Sequence, residues 1–452
     1  MTHAHRATIR DLIRLAWPVL IAQVAVVLNG VIDTIMAGRL SAIDLAAVGI
    51  GASIYITVFV SCMGVLLALT PTVAHLFGAG RSAEIGEEVR QSAWLALALS
   101  IGGIVLLRNP EPLLAFSQLT PAVEAKVRAY LDAVSWSVVP SLAFRIFYGF
   151  MSGIGRPRAV MAFNVIGLLA KLPLNLLFIY GFDMGAAGCA AGTAAISWIS
   201  AVLAWAWCCR QADCTEYGIF ARLTPPRLAD IAALLRLGLP IGATFLVDVT
   251  AFTFMALFVA RLGPVTSAAH QIAANLAVLT FMLPLSVGNA ALVLAGQALG
   301  ANDPAAARRA GLMGLALGFG VSLGVGALLW FAAGELAAIY TPDPAVRALA
   351  ASLVAIVAVY HVADSIQAVA VNVLRGYKKT TVPMAAYAVS LWGVGLGGGY
   401  LLGLTDLAGP ARGAAGFWMA SGAGLLLAGT IVFGYFLRIS RHFGRQMSEV
   451  ST

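Results

Sequence analysis

The chain has 452 residues, of which 60% are hydrophobic and 11% charged, whereas soluble globular domains carry about 25% charged residues. This composition excludes a water-soluble fold and indicates a protein whose natural solvent is the lipid bilayer. The formal net charge of +8 comes from basic residues scattered singly between apolar segments. Such scattering indicates membrane topology signals, and we expect no nucleic-acid partner.

Runs of about 20 apolar residues predict an all-α integral membrane protein with twelve transmembrane helices. The predicted spans lie near residues 12–37, 45–69, 92–107, 130–151, 159–180, 187–208, 237–261, 267–293, 311–331, 349–374, 382–404 and 415–436. The third span is predicted to be short, because Arg108 interrupts its apolar run. The first run is longer than the apolar part of a signal peptide, and we expect it to be retained.

The distribution of lysine and arginine predicts the orientation. Nineteen of the 28 lie at the two termini and in the loops after even-numbered spans, and seven lie on the opposite side. The remaining two, Arg145 and Lys171, fall inside spans. Both termini are therefore predicted to be cytoplasmic.

The two halves of the sequence repeat each other. A shift of 222 residues places Pro18 on Pro240 and Ile50 on Ile272, and near the ends of the halves the string GAAG occurs at both 185–188 and 413–416. A nearly constant offset indicates duplication. We predict two six-helix lobes, 1–209 and 237–452, which are joined by a cytoplasmic linker at 210–236. Because six is even, the repeats enter the membrane in the same orientation, which predicts a pseudo-twofold axis along the membrane normal and a central cavity.

Five charged residues lie inside predicted spans: Asp33, Arg145, Lys171, Asp248 and Asp364. A charge at the bilayer centre costs about 2.5 to 3.5 kcal/mol on insertion scales, so each one requires a partner or a function.

Asp364 shares one helix face with Tyr360, His361 and Gln367, and such a polar face is not expected to point at lipid. Asp248 and Asp364 lie in spans 7 and 10 of the same lobe. Together they provide oxygen ligands for a hard cation such as Na⁺, or they share a proton that mutual repulsion makes labile. The alternative is that each carboxylate only bonds neighbouring hydroxyl groups and holds helices together.

In the first lobe, span 1 carries Asp33, and span 5 contributes Lys171 and, one turn later, Asn175. A buried Asp–Lys pair is either a static link between helices or a switch, and the wetness of the cavity decides between them. For Arg145 we expect contacts with backbone carbonyls or the interface rather than with substrate.

Ion coupling is the energy source that the sequence favours. None of the four lysines follows a glycine, as the lysine of a nucleotide-binding Walker A loop must. The sequence also lacks the H-E-x-x-H and C-x-x-C strings, so we expect no enzyme and no cofactor. An ion gradient remains as the common energy source for active transport.

Several strings, in order along nearly the whole chain, resemble the multidrug and toxic compound extrusion family, especially its NorM-type bacterial branch. They are WPVLIAQ, VIDTIMAGRLSAIDLAAVGIG, LPLNLLFIYG, GCAAGTA, AAHQIAAN, VLRGYKKT and GAAGFW. The resemblance implies a monomer in the bacterial inner membrane that exports cationic or amphipathic drugs in exchange for Na⁺ or H⁺. Two lobes would rock around a central cavity.

The resemblance also assigns residues. The family's first-lobe polar site falls on Asp33, Asn175 and Thr193, and its second-lobe cation site falls on Asp248, Tyr360 and Asp364. Three positions depart from the family pattern, since Asp248 replaces a frequent Glu, Lys171 a usual Asn and Leu294 a frequent Arg.

Two alternatives remain at this stage. One is a flippase for lipid-linked oligosaccharides from the same superfamily, which would need a more cationic cavity for pyrophosphate. With three buried aspartates against Lys171 and Arg145, the cavity is predicted to be slightly anionic, which favours drug cations. The other is a membrane-embedded enzyme or receptor.

Overall fold

The structure is a computed structural model, and it describes residues 3–114, 119–222, 224–407 and 409–450. Two π-helical segments, Leu177–Gly181 and Val389–Gly397, directly continue the α-helices that end at Leu176 and Ala388. In chain order the α-helices are α1 (His3–Leu40), α2 (Ala42–Leu66), α3 (Leu69–Gly78), α4 (Ser82–Arg108), α5 (Glu111–Leu114), α6 (Pro121–Ser135), α7 (Val138–Gly153), α8 (Pro157–Leu176), α9 (Ala186–Arg210), α10 (Ala212–Thr215), α11 (Leu228–Ala260), α12 (Pro264–Gly300), α13 (Pro304–Phe331), α14 (Ala333–Tyr340), α15 (Pro344–Gly376), α16 (Thr381–Ala388), α17 (Gly398–Leu404) and α18 (Ala414–Val450).

Most of the long helices among the described residues are long and apolar enough to cross a membrane. Among the described residues there are 11 candidate spans, and α6 with α7, bent by 46°, makes a twelfth when the pair is counted as one span. Large apolar side chains such as Leu169 and Val389 are 72% and 70% exposed, as expected for surfaces that face lipid. The predicted all-α membrane fold with twelve spans is therefore confirmed.

Two predicted spans differ in detail. The third was expected to be short, but α4 has 27 residues and begins at Ser82. Its polar first turns carry Gln91, which is fully buried against another part of the chain, so the helix continues although its hydropathy is low there. The fourth span is two helices, α6 and α7, with the break at Trp136 and Ser137.

Proline and capping residues set several helix starts. Proline is the first residue of five of the described helices, where its missing N–H costs no hydrogen bond and its fixed φ suits the helix. These are α6, α8, α12, α13 and α15. The Asp343 side chain accepts hydrogen bonds from the backbone N–H groups of Ala345 and Val346, which caps α15.

Contacts within the chain divide it into two compact units. The N-terminal unit is residues 21–242, and the C-terminal unit is residues 1–20 with 243–452. In the N-terminal unit Phe147 is fully buried, with Phe163 and Trp205 each 5.7 Å away ring to ring. In the C-terminal unit Trp418 is also fully buried, and its ring packs edge-on against the ring of Tyr360. The lobe boundaries at 209 and 237 stay a prediction.

The segment predicted as a linker packs on α4 of the N-terminal unit. The Gln91 amide donates to the Pro225 carbonyl at 3.0 Å and accepts from the Arg227 N–H at 2.8 Å. Arg90 donates to the Gly218 carbonyl at 2.6 Å. A Cβ atom on Gly86 would lie 2.0 Å from the Tyr217 carbonyl oxygen, so the approach requires glycine at position 86.

Candidate functional site

The first polar cluster lies in the N-terminal unit and joins α1, α8 and α9. The Lys171 ammonium lies 2.8 Å from Asp33 Oδ1 and 2.6 Å from the Thr193 hydroxyl. The Asn175 amide donates to Asp33 Oδ1 at 2.7 Å. All four residues predicted for this lobe therefore meet in one cluster.

This cluster is neutral and almost closed to water. The side chain of Lys171 is 1% exposed and that of Asp33 is 11% exposed. The Thr193 hydroxyl lies 3.3 Å from Asp33 Oδ2 and 3.0 Å from the Cys189 carbonyl oxygen, so its single proton reaches either acceptor. A buried carboxylate that accepts from an ammonium, an amide and a hydroxyl has the charge-assisted hydrogen bonds that compensate its desolvation.

Glycine makes room for the amide of this cluster. Asn175 Oδ1 is buried and has no hydrogen-bond partner within the described residues. It points at Gly192, where an added Cβ would lie 2.1 Å from it. The π-helical segment Leu177–Gly181 begins two residues after Asn175, and such segments often occur at functional sites.

The second polar cluster lies in the C-terminal unit. Tyr387 on α16 donates a hydrogen bond to Asp248 Oδ1 on α11 at 2.6 Å. Sequence reasoning missed Tyr387, which shares its apolar span with a second tyrosine, Tyr400. Thr250, which the sequence places near Asp248, donates instead to the Leu246 carbonyl at 2.6 Å.

Asp364 differs from Asp248, since it makes no hydrogen bond or ion pair within the described part of the chain. It is 6% exposed and shares the face of α15 with Tyr360, which is also 6% exposed. The Asp364 carboxyl is close enough to Asp248 for the two to interact electrostatically. His361 beside it is 1% exposed, and its Nε2 atom has no partner among the described residues.

The two clusters therefore differ in charge balance. The N-terminal cluster pairs one carboxylate with one ammonium, whereas no ion pair reaches Asp248 or Asp364 within the described residues. No group of three or more His, Cys, Asp or Glu there is arranged to hold a metal ion. A site for Na⁺ at Asp248 and Asp364 accordingly stays a prediction that would draw further ligands from hydroxyl or carbonyl groups.

Two other sequence features have structural roles. The Arg145 guanidinium lies over the Tyr148 ring, 4.8 Å from its centroid, so the contact that the structure shows for it is an aromatic face. The string Gly320–Gly324 has the G-x-S-x-G spacing of a hydrolase nucleophile elbow. It lies inside α13 with Ser322 fully buried, whereas an elbow requires a turn between a strand and a helix.

Comparison with known proteins supplies the family. The family model MatE matches twice, at residues 18–177 and 240–401. The chain belongs to the MatE family. The two matches start 222 residues apart, the same offset as the internal repeat, so the resemblance and the duplication are both confirmed.

Two relatives and one solved structure are similar to this MatE protein over nearly its whole length. The chain is 41% identical to the probable multidrug resistance protein NorM of Aromatoleum aromaticum, over 94% of this chain and 92% of that protein. It is 37% identical to NorM of Vibrio cholerae, over 94% of each. An outward-facing multidrug resistance MATE transporter superposes with a TM-score of 0.89 at 18% identity, over 98% of this chain and 99% of that one. The chain therefore has the fold of a multi-pass membrane transporter and is not an enzyme.

Proposed function

We propose that this MatE protein exports cationic or amphipathic small molecules in exchange for Na⁺ or H⁺ by alternating access. Membership of the family and the names of the NorM relatives support multidrug efflux. The observation that carries the ion coupling is the pair of carboxylates formed by the half-buried Asp248 and the buried Asp364, to which the described residues bring no basic partner. Two carboxylates in this setting require a metal cation or protons to balance their charge.

The same geometry argues against a lipid-linked oligosaccharide flippase. A pyrophosphate substrate requires free basic groups, but Lys171 is satisfied by Asp33 and Arg145 lies over Tyr148. Of the five charged residues that the sequence places inside spans, Asp364 is the one with no hydrogen bond, ion pair or cation–π contact among the described residues, which favours a cationic cargo.

Location follows from the family and the charge pattern. We propose a monomer in the inner membrane of a bacterium, in contact with lipid on its apolar faces, with both termini in the cytoplasm. Fusion of a reporter that is active only in the cytoplasm to each terminus tests the orientation.

Transport in reconstituted vesicles tests the function. Vesicles with the purified protein should export a fluorescent cationic dye when an opposing Na⁺ or H⁺ gradient is imposed, and the wild type should stop when that gradient collapses. Asp248→Asn and Asp364→Asn should abolish this dependence. Glu335→Gln is the matched control, since Glu335 is an exposed carboxylate in the same unit. Wild-type coupling in both aspartate variants would contradict the proposed ion site, and absence of dye transport by the wild type would contradict export itself.

A further inference from the structure

The Lys171 ammonium is held as a metal cation would be held. An ammonium has three donors, and three oxygen atoms lie within reach of it. They belong to the Asp33 carboxylate at 2.8 Å, the Thr193 hydroxyl at 2.6 Å and the Cys189 carbonyl at 3.4 Å. A carboxylate, a hydroxyl and a backbone carbonyl are also the hard oxygen ligands that alkali and alkaline-earth cations prefer.

A fourth oxygen lies in the same cluster without a partner. Asn175 Oδ1 is buried and makes no hydrogen bond within the described residues, although its amide nitrogen is bonded to Asp33. Rotation of this amide would turn its oxygen toward Asp33 Oδ1, the atom that also contacts the Lys171 ammonium, so the cluster holds a fourth oxygen beside the three that surround the ammonium.

We propose that the Lys171 ammonium is a tethered cation that occupies a monovalent-cation site in the N-terminal unit. Because it is covalently attached and its side chain is 1% exposed, it does not exchange with ions in solution. The exchangeable coupling ion is then confined to Asp248 and Asp364, where no basic side chain is paired. This inference rests on the proposed ion-coupled export and assigns Lys171 the role of excluding one ion from the cycle.

Binding of ²²Na⁺ to the purified protein tests the proposal without transport. The measurement is made at pH 8 in lipid nanodiscs, with N-methylglucamine as the replacement cation. Lys171→Met keeps the aliphatic volume and removes the ammonium, so it should bind one more Na⁺ per chain than the wild type. The double variant Asp33→Asn with Lys171→Met should return to the wild-type count.

Lys126→Met is the matched control. Lys126 is paired with Asp44 at 2.6 Å in the same unit, but its side chain is 42% exposed, and Asp44 also accepts from the backbone N–H of Ala186. Without that ammonium Asp44 still accepts hydrogen bonds from the Ser41 hydroxyl and the Ala186 backbone N–H, which compensate its charge, so the Na⁺ count should not change.

Two results would overturn the proposal. One is an unchanged Na⁺ count in the Lys171→Met variant, provided that this variant elutes as a folded, monodisperse protein. The other is loss of one bound Na⁺ in Asp33→Asn alone, since the wild-type site would then already hold an exchangeable ion. The second result decides the matter even if Lys171→Met fails to fold. Failure of dye export in vesicles would contradict the proposed function and leave these binding counts unaffected.

Discussion

Asn175 and Tyr387 are hydrogen-bond donors to carboxylates within spans, one in each compact unit. Each donates a hydrogen bond to a carboxylate within a span, Asn175 to Asp33 at 2.7 Å and Tyr387 to Asp248 at 2.6 Å. Each also lies two residues before a π-helical segment, which begins at Leu177 in one unit and at Val389 in the other. The two donors lie at different points of their spans, since Asn175 is near the end of the fifth span and Tyr387 near the start of the eleventh, and one donor is an amide whereas the other is a phenol.

The Tyr387 hydroxyl is expected to affect how strongly the Asp248 carboxylate binds the coupling ion. Tyr387→Phe removes the donor to Asp248 and leaves a half-buried carboxylate with one hydrogen bond fewer, a loss of about 1.5 to 3 kcal/mol for the ionised form. We expect the ion concentration for half-maximal transport to change by tenfold or more while protein expression stays normal. Tyr400→Phe, at an exposed tyrosine of α17, should leave that concentration unchanged. Equal ion dependence in the two variants would show that the hydrogen bond has no role in coupling.

Lys171 and Asp33 are expected to be energetically coupled. Removal of one leaves the other buried and unpaired, which costs about 3 to 5 kcal/mol, whereas removal of both leaves no buried charge. Lys171→Met and Asp33→Asn should therefore each cost more than half of what the double variant costs. Thermal unfolding in a sodium-free choline buffer measures the cycle. Additive costs would show that the contact is not energetically important.

Much of the fold follows from the sequence, because apolar run length and lysine and arginine positions report directly on the bilayer. The first cluster was also accessible, since Lys171 and Asn175 are one turn apart on one helix. Tyr387 was not accessible, because its role depends on how two helices distant in the sequence meet. The start of α4 was missed for a similar reason, as the burial of Gln91 depends on the segment that packs on it.

The hydrogen bonds of Gln91 are expected to stabilise the packing of the predicted linker, residues 210–236, against α4. Gln91→Leu removes the hydrogen bonds to the Pro225 carbonyl and from the Arg227 N–H, at a net cost of about 0.5 to 1.5 kcal/mol each. We expect a lower melting temperature and faster protease cleavage within 216–227. Trp94→Phe removes the single hydrogen bond to the Thr224 carbonyl and should have a smaller effect. Cleavage of Gln91→Leu at the wild-type rate would show that the segment is held elsewhere.

Membrane potential is expected to matter less for monovalent cationic drugs than for neutral ones. One inward coupling cation gains about 2.3 kcal/mol per 100 mV, and one outward drug cation loses the same amount, so exchange of one for one is electroneutral. A tenfold ion gradient then supports about a tenfold drug gradient, because a factor of ten corresponds to about 1.4 kcal/mol. Vesicles clamped with potassium and valinomycin measure this. Strong voltage dependence for a monovalent drug would require more than one coupling cation per cycle.

Drug-driven ion movement tests ion coupling through Asp364 most directly. A gradient of cationic drug is imposed across vesicles that start with equal ion concentrations on both sides, and the counter-movement of Na⁺ or H⁺ is recorded. The wild type and Glu335→Gln should move the ion opposite to the drug, and Asp364→Asn should move none. Counter-movement in Asp364→Asn at the wild-type rate, or drug transport by the wild type with no movement of either ion, would contradict the account.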